Sequence, residues 1–283
     1  MGDSNPDRGR LALAPLEGGG RGQQSSLRRL SLTYSTPYDW LALLKFFAAR
    51  AIPGVDEVDG EIYRRTFSLG RAQGRLSIMP ENGRLAASLT GKANAGNVAS
   101  RLRRLFDLDA PGKKIVAYLR RDETLKASLK RRPGLRVPGV WDPFELGVRA
   151  ILGQQVSVAA ASTLAGRIAA RFGKAAAKSH ATLNRLFPTA ADLADASLDG
   201  IGLTTRRAAT VTNFASTVSG DPTLLANDQP LEVFVERIAD LPGLGPWTAH
   251  YMAMRMGYAD AFPASDLGVR KALNITSDKE VLR

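Results

Sequence analysis

The stretch Leu241-Pro242-Gly243-Leu244-Gly245-Pro246-Trp247-Thr248-Ala249 decides the fold of this 283-residue chain. Two glycines flank one apolar residue in a tight turn, and Pro246 suits the first turn of a helix, where a missing N–H costs nothing. Upstream, apolar residues recur at helical spacing, namely Leu231, Val233, Phe234, Val235, Ile238 and Leu241. The segment therefore predicts a helix, a Pro-Gly-Leu-Gly hairpin and a second helix.

Such a hairpin can hold a phosphate. Glycines let backbone N–H groups face outward, and the N-terminus of the following helix adds partial positive charge. An ordinary interhelical turn with a glycine C-cap would have the same residues, because short glycine motifs are common. Both interpretations stay open on this stretch alone.

Composition excludes several classes of site. With 44% hydrophobic residues the chain can bury a sizeable core, in two or three subdomains. No apolar run approaches the roughly 18 residues of a membrane helix, and no signal-peptide pattern opens the chain, so we expect no export. The absence of cysteine excludes disulfides, thiolate zinc sites and cysteine-ligated iron–sulfur clusters, and the two histidines, His180 and His250, exclude a histidine-rich metal site.

The charge indicates a polyanionic partner. The formal charge is +12 and the pI is about 10.3, although a basic but unspecialised protein would show the same values. Two acidic residues stand between Arg120 and Arg136 beside seven basic ones, namely Arg120, Arg121, Lys126, Lys130, Arg131, Arg132 and Arg136. This run fits either a solvated helix face or a surface that follows phosphates.

The first part of the chain predicts a tail and a small mixed domain. Residues 1–28 are rich in Gly, Arg, Ser and Gln, and we expect them to be disordered. Alternation at Leu30, Leu32 and Tyr34 indicates a strand, and a helix is expected from Trp40 to Ala51. Further strands are expected at Ile62–Leu69, Leu76–Met79 and Leu85–Leu89, with a hairpin turn at Asn82-Gly83.

The second part predicts helices. They are expected at Glu145–Leu152, Val158–Phe172 with Ser157 as N-cap, Leu183–Ala196 and Thr205–Ser219. Gly153-Gln154-Gln155 lies between the first two of these helices and separates them. Adjacent glutamines are unusual in a core, because a buried amide needs several partners. They are therefore either surface residues or a polar probe presented to a ligand.

Two features could carry chemistry. Trp247 and Tyr251 lie four residues apart and share a helix face, where they either pack in the core or stack on an unpaired base. Asp266 lies near the start of a helix, so it is a plain capping residue or a functional carboxylate. A fixed carboxylate there could stabilise positive charge on a sugar during N-glycosidic cleavage, or act as general base to a water.

The sequence resembles the helix-hairpin-helix DNA glycosylase superfamily, and closely its DNA-3-methyladenine glycosylase II branch, which removes alkylated bases. The resemblance covers roughly Leu30 to Leu273. Its motifs are Pro37-Tyr38-Asp39-Trp40, Arg132-Pro133-Gly134-Leu135-Arg136, Phe144-Glu145-Leu146-Gly147-Val148-Arg149-Ala150-Ile151-Leu152-Gly153-Gln154-Gln155-Val156-Ser157, the hairpin Leu241 to Ala249, and Asp266.

The resemblance implies an α+β fold: a small antiparallel-sheet α+β domain, then two all-α domains with the helix-hairpin-helix motif and a cleft between them. The expected units are a disordered tail 1–28, an α+β domain 29–116, a helical domain 141–258 with the hairpin, and a second helical domain. That last domain would combine 117–140 with 259–283. Family members continue past the catalytic helix with another helical segment, so we expect it to be short at its C-terminus.

The resemblance also implies a role for each site residue. Asp266 would be the catalytic aspartate, and Trp247, Tyr251 and Phe46 would line the base pocket. DNA would be bound by the hairpin and the glutamine junction, through Gly243, Leu244, Gly245, Thr248, Gln154 and Gln155. Gln155 falls where the family inserts a wedge into the gap left by a flipped nucleotide. No side chain is expected to bind a metal, but the carbonyls of Leu241 and Leu244 could hold a monovalent cation.

Trp247 determines the expected subtype. Relatives with lyase activity carry a lysine there, because strand cleavage needs an amine that forms a Schiff base with the sugar. We therefore expect a monofunctional glycosylase without cofactor, whose aromatic pocket stacks on cationic bases. The expected partner is double-stranded DNA with damaged bases, bound by a monomer in the cytoplasm at a bacterial nucleoid, or in a eukaryotic nucleus. The alternative is a non-catalytic damaged-DNA-binding protein of the same fold.

Overall fold

The computed structural model describes residues 27–177, 181–275 and 277. Most of the expected tail, His180 and the last residues of the expected short C-terminal segment lie outside this range. Of the residues assigned to the tail, Leu27 and Arg28 are described, and the first strand begins at Arg28.

Five antiparallel strands form the N-terminal sheet, in the order β1-β5-β4-β3-β2. Asn82 and Gly83 both take left-handed backbone angles in the turn between β4 and β5, as the Asn-Gly pair predicts. The strands expected from alternation are confirmed, but β2 was missed because its sequence Asp-Glu-Val-Asp shows no apolar alternation. The strands are β1 Arg28–Leu32, β2 Asp56–Asp59, β3 Ile62–Leu69, β4 Ala72–Glu81 and β5 Arg84–Leu89.

The other regular elements of the described chain are helices, which confirms the α+β class. The helix on each side of the hairpin is present, and Ser157 caps α6 as predicted, accepting the Ala160 N–H at 3.2 Å. The helices are α1 Trp40–Ala48, α2 Ala95–Leu105, α3 Gly112–Leu119, α4 Glu123–Arg131, α5 Pro143–Leu152, α6 Val158–Phe172, α7 Ala190–Ala194, α8 Thr205–Gly220, α9 Leu231–Ala239, α10 Pro246–Met256 and α11 Leu267–Leu273, with a short 3-10 helix at Pro222–Leu225.

The predicted helix Leu183–Ala196 is wrong, because only α7 within it is helical. The N–H groups of Asn184 and Arg185 both donate to the carbonyl of Gly54, and Arg185 forms a bridge with Ala175. These contacts with distant backbone keep the segment extended, so tertiary pairing overrides the local helical preference. The predicted helix Trp40–Ala51 ends early, at Ala48.

Two hydrophobic cores result. One packs the sheet against α1 and α2, with Phe47, Tyr63 and Phe106 in edge and tilted ring contacts. The other lies among α5, α6 and α8 to α10, and it also takes in Ile52 and Val55 from the segment after α1. The expected split of the helical part into 141–258 and 117–140 with 259–283 stays a prediction.

A buried ion pair joins β3 to α5. Arg65 donates to Glu145 at 2.7 Å, and their side chains are only 3% and 5% exposed. Glu145 also lies 3.5 Å from Arg149, one turn further along α5. The pair therefore connects the sheet with the helical core at the place where the two meet. Of the helices in the described part of the chain, none is long and apolar enough to span a bilayer.

We expect Glu145→Leu to lower the free energy of unfolding by about 3–5 kcal/mol, because it leaves the buried Arg65 guanidinium without its hydrogen-bonded counter-charge. Denaturant unfolding followed by circular dichroism measures the loss. The double variant Arg65→Met with Glu145→Leu should recover most of it. As a control, Glu81→Gln breaks the exposed pair with Arg29 and should cost at most about 1 kcal/mol. An unchanged unfolding midpoint in Glu145→Leu would contradict the expectation.

Candidate active site

The hairpin between α9 and α10 packs against α8 and the helical core, which fix its conformation. Gly243 has φ +83°, and a Cβ at this position would overlap with the Thr210 hydroxyl on α8. The Leu244 N–H donates to the Leu241 carbonyl at 3.0 Å, and the Leu244 side chain, 8% exposed, packs into the helical core. Only glycine therefore fits at Gly243, for both conformational and steric reasons.

The start of α10 is open to an anion. No side chain among the described residues caps this helix, and Pro246 has no N–H. Gly245 is in extended conformation, and a Cβ there would meet no atom within 4 Å. Thr248 is only 3% exposed, so its hydroxyl is not available to a ligand. These features are those of a backbone phosphate site.

The glutamine junction lies against the hairpin. The Gln154 amide donates from Nε2 to the Gly243 carbonyl at 3.1 Å, and Arg207 on α8 donates to the Gln154 carbonyl. Gln155 is exposed and takes a left-handed φ of +57°, which is uncommon for a residue with a side chain. Arg207 lies in the first turn of α8, where its charge is unfavourable to the helix dipole. Its hydrogen bond to the Gln154 carbonyl explains why an arginine occupies this position.

Asp266 is both a capping residue and a partner of Trp247. Its Oδ1 accepts the N–H groups of Gly268 and Val269 at 2.8 and 3.0 Å, as the N-cap of α11. Its Oδ2 accepts the indole N–H of Trp247 at 3.1 Å. The rings of Trp247 and Tyr251 stack with centroids 5.3 Å apart and an interplanar angle of 9°. Three donors from two helices thus hold one half-buried carboxylate beside an aromatic pair.

Two arginines border Phe46, and sequence reasoning missed both. The guanidinium carbon of Arg50 lies 3.9 Å from the Phe46 ring centroid, and that of Arg255 lies 4.6 Å from it. Arg255 also donates to the Tyr251 hydroxyl at 2.8 Å. Burial lowers the pKa of both arginines. Arg255 follows Trp247 and Tyr251 at helical spacing, so the shared helix face was a signal that could have found it.

These groups line one cleft of about 240 Å³ between the sheet and the helices. The cleft brings together four of the predicted site residues: Asp266, Trp247, Tyr251 and Phe46. Its lining also includes Asp56, which accepts a hydrogen bond from the Tyr63 hydroxyl at 3.0 Å and whose pKa is raised by burial. Within the part of the chain that the structure describes, no lysine lines this cleft.

The hairpin carbonyls could hold a cation only by their remaining lone pairs. The Leu241 carbonyl already accepts the Leu244 N–H, and the Gly243 carbonyl accepts the Gln154 amide. A carbonyl oxygen has a second lone pair, and hard oxygen ligands suit a monovalent cation. Among residues 27–177, 181–275 and 277, no group of three or more His, Cys, Asp or Glu side chains is placed to bind a metal.

Two family descriptions match the chain side by side. The AlkA N-terminal domain matches residues 29–142, which contain the sheet. The HhH-GPD superfamily of base excision DNA repair proteins matches residues 148–277, which contain the hairpin, Trp247 and Asp266.

Individual proteins resemble most of the chain. DNA-3-methyladenine glycosylase 2 of Escherichia coli is 33% identical over 249 residues, covering 85% of this chain and 86% of that protein. A "probable bifunctional transcriptional activator/DNA repair enzyme AlkA" of Mycobacterium tuberculosis is 36% identical over 246 residues, covering 86% of this chain. The chain spans only about half the length of that relative, 50%.

One solved structure shares the fold over nearly its full length. The 3-methyladenine DNA glycosylase of Archaeoglobus fulgidus superimposes with a TM-score of 0.76 at 26% identity, covering 90% of each chain. Together with the identity to the Escherichia coli protein, this likeness settles the family. The chain belongs to the AlkA, or DNA-3-methyladenine glycosylase 2, family of helix-hairpin-helix base excision repair proteins.

Proposed function

We propose that this protein is a DNA glycosylase that removes alkylated bases of the 3-methyladenine type from double-stranded DNA. The observation that carries the proposal is the Trp247–Asp266 hydrogen bond of 3.1 Å in a cleft beside the hairpin. It joins a carboxylate to an aromatic surface large enough to receive a base. The names of the relatives in Escherichia coli and Archaeoglobus fulgidus point to the same reaction.

The hairpin would hold the DNA without reading its sequence. Its open backbone and the uncapped start of α10 suit one phosphate of the damaged strand. A potassium or sodium ion on the Leu241 and Leu244 carbonyls would add positive charge at the same place. Gln155, exposed next to this site, would enter the duplex and make hydrogen bonds in the gap left by the flipped nucleotide.

The flipped base would stack on the outer face of the Trp247–Tyr251 pair. The two rings already contact each other, so the base lies against the pair and not between its members. An alkylated purine that carries positive charge gains from the electron-rich ring faces. Weak pairing at the lesion lowers the cost of flipping, which favours damaged bases over intact ones.

Asp266 would stabilise the sugar as the base leaves. When the bond from C1′ to the base nitrogen breaks, its electron pair goes to the base, and positive charge develops on the sugar. The Asp266 carboxylate, held by three donors, is oriented before this charge appears. A water oxygen then bonds to C1′ and releases one proton to the solvent, which leaves an abasic site and a free base.

We propose that the reaction stops at the abasic site. Strand cleavage would need an amine to form a Schiff base with the sugar, and the described lining of the cleft contains no lysine. Trp247 occupies the position beside Asp266 and cannot form that bond. We further propose that the protein acts as a monomer. We also propose that it acts in a bacterial cytoplasm, since these relatives are bacterial proteins.

We expect Asp266→Asn to lower base release about a hundredfold or more, because the neutral amide cannot stabilise the positive sugar. The assay uses duplex DNA with alkylated purines and measures free base, together with strand breaks before and after hot alkali. Wild type should give breaks only after alkali. Asp260→Asn, an exposed aspartate in the loop before α11, is the matched control and should act like wild type. Damaged-DNA binding by wild type without any release would favour a non-catalytic binder.

Trp247→Phe separates stacking from the hydrogen bond. The phenyl ring keeps a face for the base and for Tyr251, but it has no N–H for Asp266. We expect base release under single-turnover conditions to fall about ten- to hundredfold, which is the range for a hydrogen bond to a charged group. Affinity for damaged DNA should change little. A rate equal to wild type would show that the indole N–H has no part in the reaction.

Gly245→Leu tests the hairpin without disturbing its packing. The position has extended backbone and open space around a Cβ, so the variant should keep the wild-type melting temperature. The new side chain would occupy the phosphate site, and we expect DNA affinity to fall at least about tenfold. Gly220→Leu, at the end of α8 with equally open space, is the control. Unchanged DNA affinity in Gly245→Leu would exclude the hairpin as a phosphate site.

A further inference from the structure

A largely exposed helical arm follows the sheet domain in the chain. We define the basic arm as residues 112–132, which comprise α3, a three-residue link and α4. The three-residue link keeps α3 and α4 in contact with each other. In α3 only Gly112 and Val116 are buried, and α4 buries no residue. The arm therefore contributes little to either core.

The charge of the arm lacks internal compensation. Its two acidic residues are both engaged, since Asp122 caps α4 and Glu123 pairs with Lys126 at 3.0 Å. Within the described structure, the remaining cations of the arm form no ion pair: Lys113, Lys114, Arg120, Arg121, Lys130, Arg131 and Arg132. So many like charges repel each other unless a polyanion neutralises them.

Two of these charges destabilise the helix that carries them. Lys113 and Lys114 lie in the first turn of α3, where the helix dipole is unfavourable to cations, and no acidic residue balances them. Lys130 and Arg131 add further positive charge in the last turn of α4. A surface that binds an anion is expected to carry positive charge even where that charge destabilises a helix N-terminus.

The base of the arm is fixed to the sheet domain. Arg136, four residues after the arm, donates to the carbonyls of Ser35 and Pro37 at 2.7 and 2.8 Å. Its guanidinium lies directly against Gly112, the first residue of α3, where a Cβ would meet it at 2.6 Å. The arm thus has a defined position relative to the body of the protein.

The connector after the arm leads to the wall of the cleft. Arg255 on α10 donates to the Gly139 carbonyl at 2.8 Å and also to the Pro138 carbonyl. Pro138 lies six positions after Arg132, which limits the distance between them to about 20 Å even in a fully extended chain. One turn of duplex DNA is about 34 Å long. The end of the arm therefore lies within one turn of duplex DNA of the connector that contacts Arg255.

We propose that the basic arm is a second DNA-binding surface, which binds phosphates of the duplex outside the lesion. The inference rests on the proposed function, because it takes the ligand of the cleft to be DNA. A duplex backbone is the occupant that the charge and the nearness to the cleft favour. The arm supplies sequence-independent, salt-sensitive affinity, while the hairpin holds the damaged strand.

The test compares two triple variants on one duplex. Lys113→Gln with Lys114→Gln and Lys130→Gln removes three charges from the arm, and glutamine keeps helix propensity. Arg71→Gln with Arg84→Gln and Lys92→Gln removes three exposed charges from the sheet domain as control. Affinity for an undamaged duplex of about three helical turns is measured by fluorescence anisotropy over a range of salt concentrations.

We expect the arm variant to reduce the slope of log K against log salt by about 3, near 0.9 for each lost phosphate contact. At low salt its affinity should be at least about tenfold weaker than wild type, and the control variant should follow wild type. An arm variant with the wild-type slope would overturn the proposal and leave an acidic protein or a membrane as the polyanion. The proposal would also be overturned if the control variant lost as much affinity as the arm variant.

Measuring base release distinguishes a failure of this proposal from a failure of the proposed glycosylase function. If wild type binds DNA through the arm but releases no base, the glycosylase activity fails and the arm stands as a DNA surface. If wild type releases base and the arm variant binds as wild type does, the glycosylase stands and the arm fails. At saturating protein, the arm variant should release base at the wild-type rate, because none of its three positions lines the cleft.

Discussion

The buried pair between Arg65 and Glu145 is the constraint on which the cleft depends. It connects β3 with α5, and so it sets the sheet domain against the helical core. The cleft takes Phe46 from one side of this junction and Trp247 and Tyr251 from the other. A charge pair taken out of water must be closely matched, since either partner alone is costly to bury. The geometry of the junction, and with it the width of the cleft, therefore has little freedom.

Helix α10 combines most of the functions of the site. Its uncapped start faces the hairpin, its first turn carries Trp247, and the next two turns carry Tyr251 and Arg255 on the same face. Arg255 then reaches the connector after the basic arm. Since a helix is rigid over this length, the proposed phosphate site, the aromatic surface and the connector that Arg255 contacts have a common frame. Such a frame suits a substrate that is itself a stiff duplex.

Local signals were enough to predict most elements and several site residues. The Asn82-Gly83 turn, the Ser157 cap and the helices around the hairpin each follow from residues a few positions apart. The helix expected at Leu183–Ala196 was wrong because its residues pair with Gly54, far away in the chain. Asp266 shows why a local signal is incomplete: it is a capping residue, and its second oxygen also binds Trp247.

The sequence by itself predicted most strands and helices and the hairpin, because glycine, proline, capping and helical spacing act over short distances. Its resemblance to a known family predicted the α+β class and proposed Asp266, Trp247, Tyr251 and Phe46 as site residues. Only the tertiary structure decided which polar groups meet. Arg65 and Glu145 are 80 residues apart, Gln154 and Gly243 are 89 apart, and Arg255 and Gly139 are 116 apart. No periodicity relates such partners, since the packing of separate elements brings them together.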